Sequence, residues 1–149
     1  MDIHSRKQNQ MQTSSVDEHL ADLLEYRRAT VSDYGYIVSS FSRSYSHTGI
    51  DSLKAAQRRR LAIQHFDSIK AEVDMWVAAL PTAIVGWLIK QGPVLHYVYV
   101  RKPWRNLGVA KHLMRVATFT NSPIPCSYWT TDARKYLASH PNTFRRMNQ

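Results

Sequence analysis

Three β-type runs follow one another in quick succession: MWVAAL (75–80), IVGWLIK (84–90) and VLHYVYV (94–100). Only Pro81-Thr82 and Gly92-Pro93, with a residue or so on either side, punctuate them. Connections this short cannot carry a crossover, so consecutive strands must turn back on each other as an antiparallel meander. That meander is the fixed frame around which the remaining segments have to pack. Its most apolar stretch is broken by Pro81 and Gly86 and is too short to span a bilayer.

The flanking segments carry a helical period. Residues 16–24 suit a short helix, and 26–30 (YRRAT) a first strand. Ser32 is the expected cap of a helix over 32–45 that lines up Tyr36, Ile37, Ser40 and Phe41. A second helix is expected over 51–72, capped by Asp51, burying Leu53, Ala56, Leu61, Ile63, Phe66 and Ile69. After the meander come a helix from Leu107 to Thr120, a break at NSPIP (121–125) and a strand over 126–131. A short helix at 132–139 and a closing strand near 143–147 complete the order. The expectation is an α/β (α+β) single domain over 16–149, with a mixed, mostly antiparallel central sheet flanked by helices, behind a disordered tail at 1–15.

Charge divides the chain in two. Residues 1–74 hold ten basic and ten acidic side chains, whereas 75–149 hold ten basic ones and Asp132 alone, so the whole net charge of +9 lies in the second half. Such asymmetry points to an anionic partner, either a nucleic acid or a phosphate-bearing small molecule. The polar amino terminus lacks the apolar core of a secretory signal, and Cys126, the one cysteine, has no internal disulfide partner. A cytoplasmic protein without a membrane partner is expected. No His, Cys and carboxylate cluster has metal-ligand spacing, so no metal is expected.

The basic excess is concentrated where the third run meets the next helix. Arg101, Lys102, Arg105 and Lys111 surround the turn Arg105-Asn106-Leu107-Gly108-Val109-Ala110. A helix that starts directly after a strand offers free N–H groups and its positive dipole end to an anion. Gly108 and Ala110 leave room for a phosphate to approach the main chain. This turn resembles the acyl-CoA-binding motif of the GNAT superfamily of N-acyltransferases, Gln/Arg-x-x-Gly-x-Gly/Ala after an apolar strand. The element order from Tyr26 to about Asp132 is similar as well, and the run VLHYVYV with its basic loop is similar to small phage- and prophage-encoded members.

The resemblance implies a site. Backbone groups of Arg105, Asn106, Leu107, Gly108, Val109, Ala110 and Lys111 would cradle the diphosphate of acetyl-CoA, the co-substrate. Main-chain groups of Val98, Tyr99 and Val100 would pair with the pantetheine arm. Acetyl would pass to an amine acceptor in a ternary complex, with acceptor contacts from Arg43, Tyr45 and His47. Many members use a strand glutamate as base, but no acidic residue lies between Asp74 and Asp132. His96 is the substitute by position. It stands two and four residues before Val98 and Val100 and is expected to share their face. Tyr136 is the candidate acid, without the family's usual Gly-Phe continuation.

Two other readings start from the same residues. A nucleic-acid-binding protein would use the basic half with Tyr97, Tyr99, Trp104 and Trp129 for stacking. An interaction module would keep the CoA cradle without catalysis. The short segment after the last expected helix implies either a small sheet or one completed by a second copy of the chain.

Overall fold

The computed structural model describes residues 20–44, 54–127, 140 and 142–147. Its centre is a six-stranded sheet in sequential order: β1 (Glu25–Arg28), β2 (Asp74–Leu80), β3 (Ala83–Gln91), β4 (Val94–Val100), β5 (Ile124–Cys126) and β6 (Phe144–Arg146). β1 to β4 are antiparallel, as the short connections dictate, while β5 runs parallel to β4 and β6 parallel to β5. The helices are α1 (Tyr34–Ser44), α2 (Ala55–Ile69) and α3 (Val109–Ala117). The expected mixed, mostly antiparallel α/β architecture is what forms.

Two apolar layers sandwich the sheet. On one face Met75, Val77, Trp87, Ile89 and Tyr97 meet Ile37 and Phe41 of α1 and Ala62 and Phe66 of α2. On the other, Ala78, Val85 and Leu88 meet Val109, Leu113 and Ala117 of α3. Covered on both sides, β3 is buried from Val85 to Ile89, which is why it spells an unbroken apolar run rather than an alternation. Within the first layer the Trp87 indole N–H donates to Ser40 Oγ at 2.7 Å, and Ser40 donates in turn to the Tyr36 carbonyl at 2.9 Å. Every polar atom of that buried pair is thereby satisfied.

Glycine sets how closely α3 approaches. A Cβ at Gly86 would stand 2.9 Å from the Tyr99 carbonyl oxygen and 3.4 Å from Val109 Cγ1. No side chain fits between β3, the end of β4 and the first turn of α3.

Several boundaries differ from the sequence expectations. Thr30, not Ser32, heads α1: Val31–Asp33 form a 3-10 turn, and Asp33 accepts from the Thr30 amide at 2.7 Å. Arg27 grips the same carboxylate at 2.6 Å, so the acid that closes the cap also ties α1 to β1. Four hydrogen bonds and the guanidinium beside it hold Asp33 below the ordinary aspartate range. α2 starts at Ala55, while Asp51 and Leu53 lie outside the described residues. Its buried stripe is Ala62 and Phe66; Ala56, Leu61 and Ile63 are exposed, because α2 rests on α1 and the sheet along one narrow line. The third helix is shorter than expected, ending at Ala117, where Thr118 takes a positive φ of 52°. Ile124 and Pro125, expected to be part of a break, open strand β5, with Pro125 fully buried. The tail 1–15, residues 16–19 of the helix expected over 16–24 (residues 20–22 are helical) and the helix at 132–139 fall outside the described residues.

Candidate functional site

Among the described residues, β4 has one edge paired with a neighbouring strand and one edge largely uncovered. Against β3 it is paired from Val94 to Val100. Against β5 the register holds a single pair, Leu95 with Cys126, reinforced by the Ser127 amide donating to the Leu95 carbonyl at 3.1 Å. From Tyr97 onward no described strand covers that edge. The Arg101 amide donates to the Val85 carbonyl of β3 at 2.8 Å. By alternation the main-chain groups of Tyr99 also face β3, and those of Val98 and Val100 face the open side. Of the three residues expected to present main-chain groups to a ligand, Tyr99 therefore does not do so. The Arg105 guanidinium confirms the direction, since its Nε donates to the Val100 carbonyl at 2.9 Å.

The open edge runs into the basic turn. Lys102–Trp104 make a 3-10 turn in which Trp104 and Arg105 amides donate to Arg101 and Lys102 carbonyls. Asn106 (φ 64°) and Gly108 (φ 87°) then adopt left-handed conformations on either side of Leu107. The amides of residues 106–111 have no backbone acceptor among the described residues, and they gather at the start of α3. Around Gly108 the space is open: a Cβ there would meet only His112 Nδ1, at 3.7 Å. Its positive φ demands glycine, and the vacant volume beside it suits a bulky anion. Arg101, Lys102, Arg105 and Lys111 are all exposed around this point.

His112, which sequence reasoning passed over, braces the turn. Its Nδ1 lies 2.9 Å from the Gly108 carbonyl and its Nε2 lies 3.1 Å from Asp22, while its ring stacks on Tyr26 at 5.4 Å. Its position one turn into α3 was visible in the sequence; its partners, Asp22 before the first strand and Tyr26 on it, were not.

At the other end of the open edge sits His96. A register irregularity between Ile89 and Lys90 makes it the bulged residue of β4, because Leu95 pairs with Lys90 and Tyr97 with Ile89. This bulge overturns the expectation that His96 shares a face with Val98 and Val100. The ring turns toward the α2 side instead. Its Nε2 lies 2.8 Å from Gln91 Oε1, and Gln91 Nε2 lies 3.5 Å from Glu72 just beyond α2. Its Nδ1 makes a short hydrogen bond with Ser127 Oγ. Burial, with His65 nearby, pushes the imidazole below the ordinary histidine range and keeps it neutral at pH 7.

Other expected residues are placed as follows. Arg43 is exposed near the end of α1, and Tyr45, His47 and Tyr136 lie outside the described residues. Cys126 is buried and its thiol is pushed up to about 11, so it is a packing residue rather than a nucleophile. Tyr97 is buried, Tyr99 stacks on Trp87 at 5.7 Å, and Trp104 packs on the α3-side core. Those three rings serve the interior and are not a base-stacking surface; Trp129 lies outside the described residues. An open groove of about 480 Å³ lies beside the β2–β3 turn, lined by Arg27, Asp33, Tyr36 and Arg101 among others. Among the described residues no group of three metal-ligating side chains converges, and no helix is long and apolar enough to cross a membrane.

No family model and no curated protein matches this sequence. Solved structures do match its fold. A possible acetyltransferase from Clostridium difficile 630 superposes with a TM-score of 0.56 at 15% identity, over 85% of this chain and 94% of that one. A structure described as histone acetyltransferase HPA2 and related acetyltransferase, from Corynebacterium glutamicum ATCC 13032, gives 0.54 at 16% identity, over 78% and 83%. A GCN5-related N-acetyltransferase from Rhodopseudomonas palustris gives 0.50 at 14% identity, over 78% and 79%. An antiparallel meander, a parallel strand touching its last member at one pair, and a helix springing from the basic turn make up a fold shared with these acetyltransferase structures.

Proposed function

We propose that this chain is an acyl-CoA-dependent N-acyltransferase that moves acetyl from acetyl-CoA to an amine by direct attack in a ternary complex. The observation that carries the reading is one continuous feature: a β4 edge that no described strand covers beyond its start, leading into a basic turn whose amides have no backbone acceptor among the described residues. The edge matches an extended amide-bearing arm, which would add to β4 as a strand adds to a sheet, using the groups of Val98 and Val100. The turn matches a diphosphate, which the amides of 106–111 would hold with Arg101, Lys102, Arg105 and Lys111 around it. Arg105 would have to release the Val100 carbonyl as the arm arrives. A thioester carbonyl near the bulge would meet the Val98 amide, a fixed donor for the developing oxyanion.

Holding both reactants in one cleft supplies much of the rate, so the chemistry asks little more than a proton acceptor for the amine. The remaining positive charge favours an acceptor that is anionic or associated with nucleic acid. We assign the reaction to the cytoplasm.

Calorimetry with acetyl-CoA tests this directly, comparing wild type with Ala110→Glu. A carboxylate in the first turn of α3 favours the helix but repels a diphosphate. Micromolar binding that falls at least tenfold in the variant, with the circular dichroism spectrum unchanged, supports the cradle. Equal binding in both, or none by folded wild type, overturns it. Steeply salt-dependent DNA or RNA affinity without CoA binding would establish the nucleic-acid reading instead.

A further inference from the structure

His96, the one candidate base on the open strand, does not face the cleft alone. Both its ring nitrogens are engaged, one by Gln91 and one by Ser127. Gln91 Oε1 can only accept, and its amide nitrogen points to Glu72, so the His96 proton sits on Nε2. Nδ1 therefore accepts from the Ser127 hydroxyl. Ser127 is half-buried and directly follows β5, where the described pairing with β4 ends. Ser127 is thus the half-exposed end of a chain that continues through His96 and Gln91 to Glu72.

We propose that Ser127 is the catalytic group that takes the acceptor's proton, and that His96 is a positioning residue acting through it. This rests on the acyltransferase reading above. As the amine nitrogen bonds to the thioester carbon, its proton passes to Ser127 Oγ while the serine's own proton passes to His96 Nδ1. The tetrahedral adduct collapses, the C–S bond breaks, and the thiolate leaves with the electron pair. The proton held on the imidazolium returns through Ser127 to that sulfur. Amine and thioester become amide and thiol, with no external acid, base or redox partner. Gln91 keeps Nδ1 as the acceptor, and Glu72 fixes the direction of the Gln91 amide. Placing the acceptor-facing group after β5 also accounts for a strand region that lacks any carboxylate between Asp74 and Asp132.

The test uses the full chain, acetyl-CoA, and two probe amines, spermine and a lysine-containing peptide, with thiol release as the readout. Ser127→Ala is expected to bind CoA like wild type while thiol release drops roughly 10²-fold, the usual contribution of a positioned proton acceptor. Ser127→Thr keeps the hydroxyl and is expected to restore most of the rate. His96→Gln should match Ser127→Ala, and the double variant should be no slower than either, because the two act as one unit. Nitrogen-15 NMR of the His96 ring at pH 7 supplies a second readout: an unprotonated Nδ1 whose signal moves in Ser127→Ala. Undiminished thiol release by Ser127→Ala, multiplying single-variant losses, a protonated Nδ1 in the neutral ring, or a wild type that binds CoA but turns over neither probe would each overturn the relay. Failure of wild type to bind CoA would instead overturn the reading on which it rests.

Discussion

The two edges of β4 differ in almost every respect. Toward β3 the strand is paired from Val94 to Val100 with one slip at His96, with a glycine letting α3 close over the seam and an indole–serine hydrogen bond locking the layer beneath. Toward β5 it makes one pair and then stands uncovered by any described strand, leading into a turn whose amides have no backbone acceptor among the described residues. One edge is closed by pairing, and the other is left uncovered by the described strands. Substitutions at the two edges should therefore fall into two classes, one read in unfolding and the other in binding.

The largest effect is expected at the seam itself. Gly86→Val pushes a branched side chain against the Tyr99 carbonyl and Val109, and should destabilise by about 3 kcal/mol in urea unfolding. It should lose CoA binding as well, because α3 must move; full stability in this variant would break the comparison. Next comes Ser40→Ala, which leaves the Trp87 N–H buried without its acceptor and should cost about 2 kcal/mol. At temperatures where it stays folded, its CoA affinity should be unchanged. Gly108→Ala belongs to the open edge. Forcing alanine to a φ of 87° should cost ~1–2 kcal/mol, and titration calorimetry should show the larger loss in CoA affinity.

Acidification gives the smallest effect and separates the two layers. His65 and His96, on the α1/α2 side, are both held below the ordinary histidine range by burial. Depressed folded values mean that the unfolded chain binds more protons, so stability present above pH 6.5 declines as the pH falls below it. A second decline should follow below pH 3.8, as the Asp33 carboxylate beside Arg27 is protonated. Asp33→Asn should abolish the second decline and leave the first, measured by thermal unfolding across pH.

The meander was legible because its evidence is local: period-two runs with turns too short for any other connection. The basic turn was legible because glycine, small residues and four cations at a strand–helix junction have a direct physical meaning. The face of His96 was not. Parity counting assumes an unbroken register, and nothing in VLHYVYV announces that β3 and β4 slip at Ile89 and Lys90. Ser127 was missed for a related reason, since its importance comes from a partner 31 positions away rather than from its neighbours. Leu61 and Ile63 show the same limit in a helix: an apolar residue announces an interface, but only the packed partner decides how wide that interface is.

The single Leu95–Cys126 pair also bears on the order of assembly. β2, β3 and β4 meet through sequence-adjacent hairpins, whose closure is fast and inexpensive in chain entropy. The parallel contacts of β5 and β6 wait for α3 and for longer loops to close. The cleft therefore takes shape last, on a scaffold already formed, and a folding intermediate of this chain would hold its meander while still having no mouth.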